Sequence, residues 1–204
     1  GNFTLTDAFG GIFFSVNMNS TNDYSFPISF TRVFIRHSFT SDIEVSYMAD
    51  WNMVGLPLVV EDNSYDVIFP EGEPNTLYAY DNGYSLETTL DLGVGYLLRM
   101  SDENVTTISG TPFNSVTVSL NQGWNIISGI SSPIDIDIVN AEDIIVASTV
   151  YGYGPSGYFP PDAIEPGYGY WIRAYYDGEL TLSSRINRTV GKDEINRSLI
   201  NRID

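Results

Sequence analysis

From Ile43 onward the chain alternates apolar and polar positions: Ile43, Val45 and Tyr47 are separated by Glu44 and Ser46. The same alternation runs through Val116, Val118 and Leu120, and again through Tyr96, Leu98 and Met100. A period of two is that of a strand with one buried face, whereas a helix would repeat every 3.6 residues. Short strands are therefore predicted at 43–48, 52–57, 77–81, 84–87, 95–100 and 105–109, with counterparts 73 or 74 residues later. Asp81-Asn82-Gly83 predicts a hairpin between two of them, because Asn-Gly accepts the positive φ that tight primed turns require. Asn140–Ala147 is the one helix-compatible stretch in this region. Ahead of it, Phe3–Leu5, Ile12–Met18 and Ile28–Ile35 also read as strands, punctuated by Asn22-Asp23 and Pro27.

The spacing of these strands comes from an internal duplication. Ser41–Trp51 aligns with Asn114–Trp124 at an offset of 73, so that Ile43 meets Val116, Val45 meets Val118 and Trp51-Asn52 meets Trp124-Asn125. After one insertion in the Asp81–Gly83 turn the offset becomes 74: Tyr84 matches Tyr158, Gly95-Tyr96 matches Gly169-Tyr170, and Arg99 matches Arg173. A tight turn is where a hairpin tolerates an extra residue. The chain divides into an N-terminal β-segment at 1–40, a first repeat at 41–113, a second at 114–184 and a tail at 185–204. Five to six short strands per repeat imply an all-β fold: two homologous antiparallel sandwich- or barrel-like repeats in tandem, plus N-terminal strands. Those N-terminal strands read either as the end of a preceding β-domain or as additions to the first repeat.

Charge and composition narrow the partners. The 204 residues include 26 acidic and 9 basic side chains, for a formal charge of −17, which disfavours nucleic acid and anionic membranes. At 43% hydrophobic and 14% aromatic the chain can still build a sizeable core. The absence of cysteine excludes disulfides, thiolate zinc sites and a cysteine nucleophile, and the single histidine, His37, leaves no His-rich metal site. No run of eighteen apolar residues occurs, so no helical membrane insertion is expected. Scarce lysine and arginine beside 14 Tyr and 18 Gly are typical of secreted, extracellular β-proteins. No signal peptide begins at Gly1, so an exported form would be a mature chain or an excised fragment. Asn2, Asn19, Asn104, Asn187 and Asn196 head Asn-x-Ser/Thr triplets, which matter only where the organism glycosylates them.

Trp51-Asn52-Met53-Val54-Gly55-Leu56-Pro57 and Gly123-Trp124-Asn125-Ile126-Ile127-Ser128 are each followed by a glycine-tyrosine motif, Leu92-Gly93-Val94-Gly95-Tyr96 or Pro166-Gly167-Tyr168-Gly169-Tyr170-Trp171. The pattern resembles a tandem β-repeat of bacterial and archaeal secreted and cell-surface proteins, GWN-hydrophobic-hydrophobic-S-x-P … Y-x-Y … L-x-PGKGYW, often found upstream of a type IX secretion sorting tail. The resemblance covers 41–184. Asp50 replaces the Gly before the first Trp, Gly55 replaces Ser, and Val94 or Tyr168 replaces the Lys. It implies secretion and surface display, and no reaction.

The recurring residues carry further expectations. Trp51 and Trp124 are expected to plug the cores of their repeats, with an exposed sugar-stacking platform as the alternative. Tyr96 and Tyr170 fall on the apolar faces with Leu98 and Ile172, and Gly93, Gly95, Gly167 and Gly169 supply turns and close strand approach. Arg99 and Arg173 share a repeat position eight residues after Asp91 and Glu165, which predicts an ion pair in each repeat pinning the intervening turn. Trp171, with Tyr151, Tyr153 and Tyr158 nearby and Tyr175 and Tyr176 beyond, can form an aromatic binding strip. Asp135 and Asp137 alternate with Ile134, Ile136 and Ile138 and are weak calcium candidates, since no DxDxDG loop organises them; no other cofactor is implied. No carboxylate pair or nucleophile elbow stands out, so no enzyme is expected.

The tail holds five of the nine basic residues and repeats Ile-Asn-Arg three times. Ile195, Leu199, Ile200 and Ile203 align on a short helix from Asp193, so the tail is either a linker or an arm docking on a neighbouring acidic subunit. Together these readings describe a non-catalytic, secreted or cell-surface structural or adhesion module. Other surface-protein subunits or domains, or a polysaccharide, would be its partners, and a carbohydrate-binding accessory module of a larger hydrolase is the alternative.

Overall fold

The computed structural model describes residues 2–7, 15–17 and 33–184. They are mostly strand, and every pairing between named strands is antiparallel. An N-terminal sheet places β1 (Asn2–Asp7) between β2 (Ser15–Asn17) and β3 (Val33–Ser38). Next come β4 (Ser41–Tyr47), β5 (Asp50–Gly55), α1 (Tyr65–Ile68), β6 (Tyr78–Tyr80), β7 (Tyr84–Leu86), β8 (Gly95–Met100) and β9 (Asn104–Gly110). The remainder is β10 (Ser115–Leu120), β11 (Gly123–Ser128), β12 (Ile134–Asp135), α2 (Ile136–Asn140), β13 (Gly152–Gly154), β14 (Gly157–Phe159), β15 (Ala163–Ile164), β16 (Gly169–Ala174) and β17 (Gly178–Ser183).

Pairings recur at the offset seen in the sequence. β4 pairs with β9 and β10 with β17; β5 pairs with β8 from Asp50↔Met100 to Gly55↔Gly95, and β11 with β16 from Gly123↔Ala174 to Ser128↔Gly169. The hairpins β6–β7 and β13–β14 lie beside β8 and β16, the second through reciprocal backbone hydrogen bonds of 2.9 Å between Tyr151 and Trp171.

Apolar side chains collect in two cores. One gathers Val45, Leu58, Phe69, Leu77, Leu90, Leu98 and their neighbours, the other Ile127, Ile130, Ile134, Ile164, Ile172 and Leu180 with theirs. Tyr168 packs against both. Removing such side chains from water is the principal stabilising term, about 1.5–3 kcal/mol for each fully buried leucine or isoleucine.

The segments 41–113 and 114–184 meet through reciprocal contacts. Gly55 N–H donates to Gly167 O at 3.0 Å, and Ser128 N–H donates to Gly93 O at 2.8 Å. Val54 bridges Tyr168 while Ile127 bridges Val94, and Gly93 lies on Val118 as Gly167 lies on Val45. Each contact has its partner at the 73- or 74-residue offset, with the roles exchanged. This i-with-j, j-with-i pattern is that of an isologous interface. Its centre is the approach of Gly55 to Ser128, where a Cβ on the glycine would lie far inside van der Waals contact with the serine Cβ. Gly93 and Gly167 combine positive φ values of 81° and 87° with similarly tight approaches.

One predicted element is corrected. The helix expected at 140–147 is instead the single turn α2, ending at Asn140. Beyond it the backbone is engaged by β16: Val146 N–H donates to Arg173 O at 2.9 Å and Tyr175 N–H donates to Ile144 O at 2.9 Å. Those edge bonds, with Ile144 and Ile145 both buried, hold the segment out of helical conformation. The tail helix expected from Asp193 and the His37 side chain lie outside the described residues.

Candidate functional site

Strand parity explains how an exposed aromatic face arises. On the β5–β8 ladder, Asn52, Val54, Tyr96, Leu98 and Met100 turn toward the local core, while Trp51, Met53, Gly55, Gly95, Leu97 and Arg99 share the opposite face. The inner end of that second face, at Met53, Gly55 and Gly95, is covered by the other half of the molecule. Its outer end is not covered, and Trp51 keeps 37% of its surface accessible. On β11–β16 the same parity buries Ile126, Ser128 and Gly169 and leaves Trp124 40% exposed, beside Trp171 and Arg173.

Trp51 and Trp124 therefore do not plug the cores; their register sends them outward. The following asparagine is the buried member of each pair. Asn52 donates to the carbonyls of Met48 (2.8 Å) and Asp50 (2.9 Å) and accepts from Met48 N–H at 2.9 Å. Asn125 repeats this with Asn121 O (2.8 Å), Gly123 O (3.1 Å) and Asn121 N–H (2.9 Å). Each side-chain amide thus closes the turn before its strand. Asp50 takes a positive φ of 73° where Gly123 takes 100°.

The ion pairs expected between Asp91 and Arg99 and between Glu165 and Arg173 do not form. Arg99 lies four residues along β8 from the turn, roughly 13 Å at strand rise. It meets Asp50 Oδ1 at 2.9 Å and Glu73 Oε2 at 3.0 Å instead. Arg173 makes no ion pair among the described residues. Each turn is pinned by a buried phenol: Asp91 N–H donates to Tyr96 Oη at 3.0 Å, and Glu165 N–H donates to Tyr170 Oη at 3.0 Å.

Burial pushes both phenols up from 10.0 to about 12, the buried neutral form being favoured over the phenolate. A group whose folded pKa lies above its unfolded one contributes its full stability below the unfolded value and loses it as pH rises through the folded one. Thermal stability is thus expected to hold up to about pH 10 and fall between pH 10 and 12. Replacing both tyrosines by phenylalanine should shrink that step, leaving the part contributed by Tyr47 and Tyr84, whose phenols burial also raises. Phenolate absorbance from these two residues appearing near pH 10 with the fold intact would contradict the assignment.

The outer ends of the two ladders and the two hairpins line adjoining troughs. The first, about 610 Å³, is walled by Trp124, Tyr151, Trp171 and Tyr158 from one half and by Tyr80 and Tyr84 from the other. The second, about 660 Å³, is lined by Trp51, Tyr78, Leu97 and Arg99, with Tyr153 and Tyr158 reaching across. Tyr84 and Tyr158 border both. Ring geometry recurs closely: Trp51–Tyr78 and Trp124–Tyr151 are each 6.1 Å apart and tilted by 47°. Leu97 in the second trough is replaced in the first by Trp171, whose ring packs edge-on against Tyr80 (4.9 Å) and Trp124 (6.2 Å), and only the second is also lined by Thr76 and Arg99. Burial first, then neighbouring Tyr158 and Tyr80, raises the Tyr84 phenol.

The phenols divide by bonding. Tyr47, Tyr65, Tyr96, Tyr151, Tyr168 and Tyr170 hydrogen-bond within the protein, Tyr47 to Glu71 at 2.6 Å. The hydroxyls of Tyr78, Tyr80, Tyr84, Tyr153 and Tyr158 have no hydrogen-bond partner among the described residues.

Tyr151, Tyr153, Tyr158 and Trp171, the strip considered from sequence, all reach these troughs; Tyr175 and Tyr176 are exposed but line neither. Tyr78, Tyr80 and Tyr84 were not foreseen there, although Tyr78, Tyr80 and Tyr84 occupy the repeat positions of Tyr151, Tyr153 and Tyr158. Asp135 and Asp137 do not share a strand face: the strand stops at Asp135, which caps α2 by accepting from Asp137 N–H at 2.9 Å. Among the described residues no three His, Cys, Asp or Glu side chains are grouped to hold a metal ion. The chain matches no family model, no curated protein and no solved structure.

Proposed function

We propose that the chain is a non-catalytic module of a secreted or cell-surface protein, two tandem copies of one small β-sandwich-like unit, acting in adhesion or assembly through its aromatic face. The observation that carries this reading is the exposure of two adjoining troughs lined by tryptophan and tyrosine. Exposed aromatic clusters are costly to leave in water and are favoured where a partner is bound. The recurring pairings and reciprocal contacts support the tandem-copy reading. The tyrosine-rich, cysteine-free, acidic composition and the resemblance to surface repeats support the location. The first trough holds only indole and phenol groups, which suits binding better than acid–base or nucleophilic chemistry.

Beads coated with the protein are expected to adhere to envelope preparations of the source organism. Beads carrying the Trp51→Ala/Trp124→Ala double variant, shown by circular dichroism to be folded, should not. Equal adhesion of the two would remove the face as the contact surface.

A further inference from the structure

We propose that the two troughs bind one soluble, uncharged polysaccharide chain, laid across Tyr84 and Tyr158 so that sugar rings occupy both. This ligand assignment rests on the reading of the face as a binding surface. Three features of the face select the ligand class.

The first is the pairing of apolar faces with free hydroxyls. Sugar rings present C–H faces that stack on indole and phenol, and edges of hydroxyl groups that need hydrogen-bond partners. The troughs offer both, through Trp51, Trp124 and Trp171 and through the five phenol hydroxyls that have no hydrogen-bond partner among the described residues. A lipid or purely apolar peptide would strip water from those hydroxyls without replacing its hydrogen bonds, whereas a polyol replaces them. In the second trough Arg99, held by Asp50 and Glu73, adds guanidinium donors beside Trp51.

The second is charge. A body at −17 repels uronate, sulfated or phosphorylated chains, while trough linings that hold no carboxylate, and in one case hold Arg99, give a cationic chain no counter-charge, which leaves a neutral one. The same charge opposes a second copy of this chain in the troughs.

The third is shape. Neighbouring rings are inclined by 47° to 85°, so they do not form the flat platform a crystalline polysaccharide surface requires. Tilted walls suit a single chain whose successive rings turn. Volumes of about 610 and 660 Å³ fall in the range of small-ligand sites, roughly 300–1,000 Å³. Two adjoining sites also make binding multivalent, so a long chain gains over a short oligosaccharide by effective concentration.

Affinity electrophoresis in gels containing soluble neutral polysaccharides (mixed-linkage β-glucan, xylan, mannan or α-glucan) tests this, with alginate and heparin gels and a crystalline cellulose pull-down as comparisons. At least one neutral polysaccharide should retard the protein. Trp124→Ala and Trp51→Ala should each weaken that retardation by about tenfold, as expected for aromatic anchors, and together abolish it. Tyr175→Ala, exposed but outside the troughs, should leave it unchanged, and circular dichroism should show every variant folded. Retardation by none of the neutral chains, stronger binding to alginate or heparin, or equal loss in Tyr175→Ala would overturn the proposal. Face-dependent self-association in sedimentation would overturn it in favour of a second copy. If neutral glycans fail while bead adhesion still depends on Trp51 and Trp124, the binding face stands and only its ligand class is wrong. If adhesion ignores those residues, the face itself is refuted.

Discussion

Gly55→Ala is expected to lower stability by about 2–3 kcal/mol, the upper range for forcing a methyl group into a packed site. The added Cβ would overlap the Cβ of Ser128, and neither atom can rotate away because both positions are set by backbone. Relief requires β5 and β11 to separate, which loosens the Gly55–Gly167 and Ser128–Gly93 hydrogen bonds together. The decisive companion is Ser128→Gly. Placed on the Gly55→Ala background it removes the opposing Cβ and should restore most of the loss, less up to about 1 kcal/mol for glycine in a strand. Ser128→Ala alone should be neutral or stabilising by about 1 kcal/mol, since the serine hydroxyl is buried without a partner. Urea denaturation of the parent, Gly55→Ala, Ser128→Gly and the double variant gives the complete cycle, with Ser128→Ala measured beside them. A Gly55→Ala protein as stable as the parent would mean that the two halves do not meet in solution as described.

Within each Trp-Asn dipeptide the asparagine is expected to matter more to stability than the tryptophan. Asn52→Ala leaves the Met48 N–H and the Met48 and Asp50 carbonyls without their partner in a partly buried turn. Three hydrogen bonds at about 1 kcal/mol each predict a loss of roughly 3 kcal/mol. Asn125→Ala should cost about the same, because its three bonds repeat those distances within 0.2 Å. Asn→Asp at either position should be worse still, since it sets a carboxylate against two carbonyl oxygens. Trp51→Ala, by contrast, removes a ring that is 37% exposed and should cost less, about 1–2 kcal/mol. Thermal denaturation of the four single variants ranks them directly, and a tryptophan variant less stable than its asparagine neighbour would return the tryptophans to a structural role.

That inversion shows how far the sequence could be read. The period-two alternation located the strands between 41 and 110 to within two residues, because one buried face leaves a direct imprint on residue order. Parity within 51–55 was also legible: Trp51 and Gly55 must share a face, and a glycine there signals a second backbone approaching. Arg99 across from Trp51 likewise marks that end as solvent-facing. The contact between halves was not legible, since no local pattern records which hairpin reaches which ladder. It is that contact that carries Tyr80 and Tyr84 to Trp171, so a strip drawn within 151–171 captured only part of the face. The ion pairs failed for a metric reason, eight residues of separation being spent partly along an extended strand. The calcium candidates failed because Asp135 serves the helical turn it precedes.

The reciprocal interface has one further consequence. Only Thr111–Asn114 lie between β9 and β10, so each half sees the other at an effective concentration that a short tether places around the millimolar range. Separate chains at micromolar levels would need sub-micromolar affinity to stay paired, whereas here a contact of about 100 μM strength remains roughly 90% closed. Covalent linkage also frees the two faces from having to match their own images. Gly55 can oppose Ser128, and Leu97 in one trough can stand where Trp171 stands in the other. A homodimer would have to place the same residue on both sides of its axis and build the same trough twice.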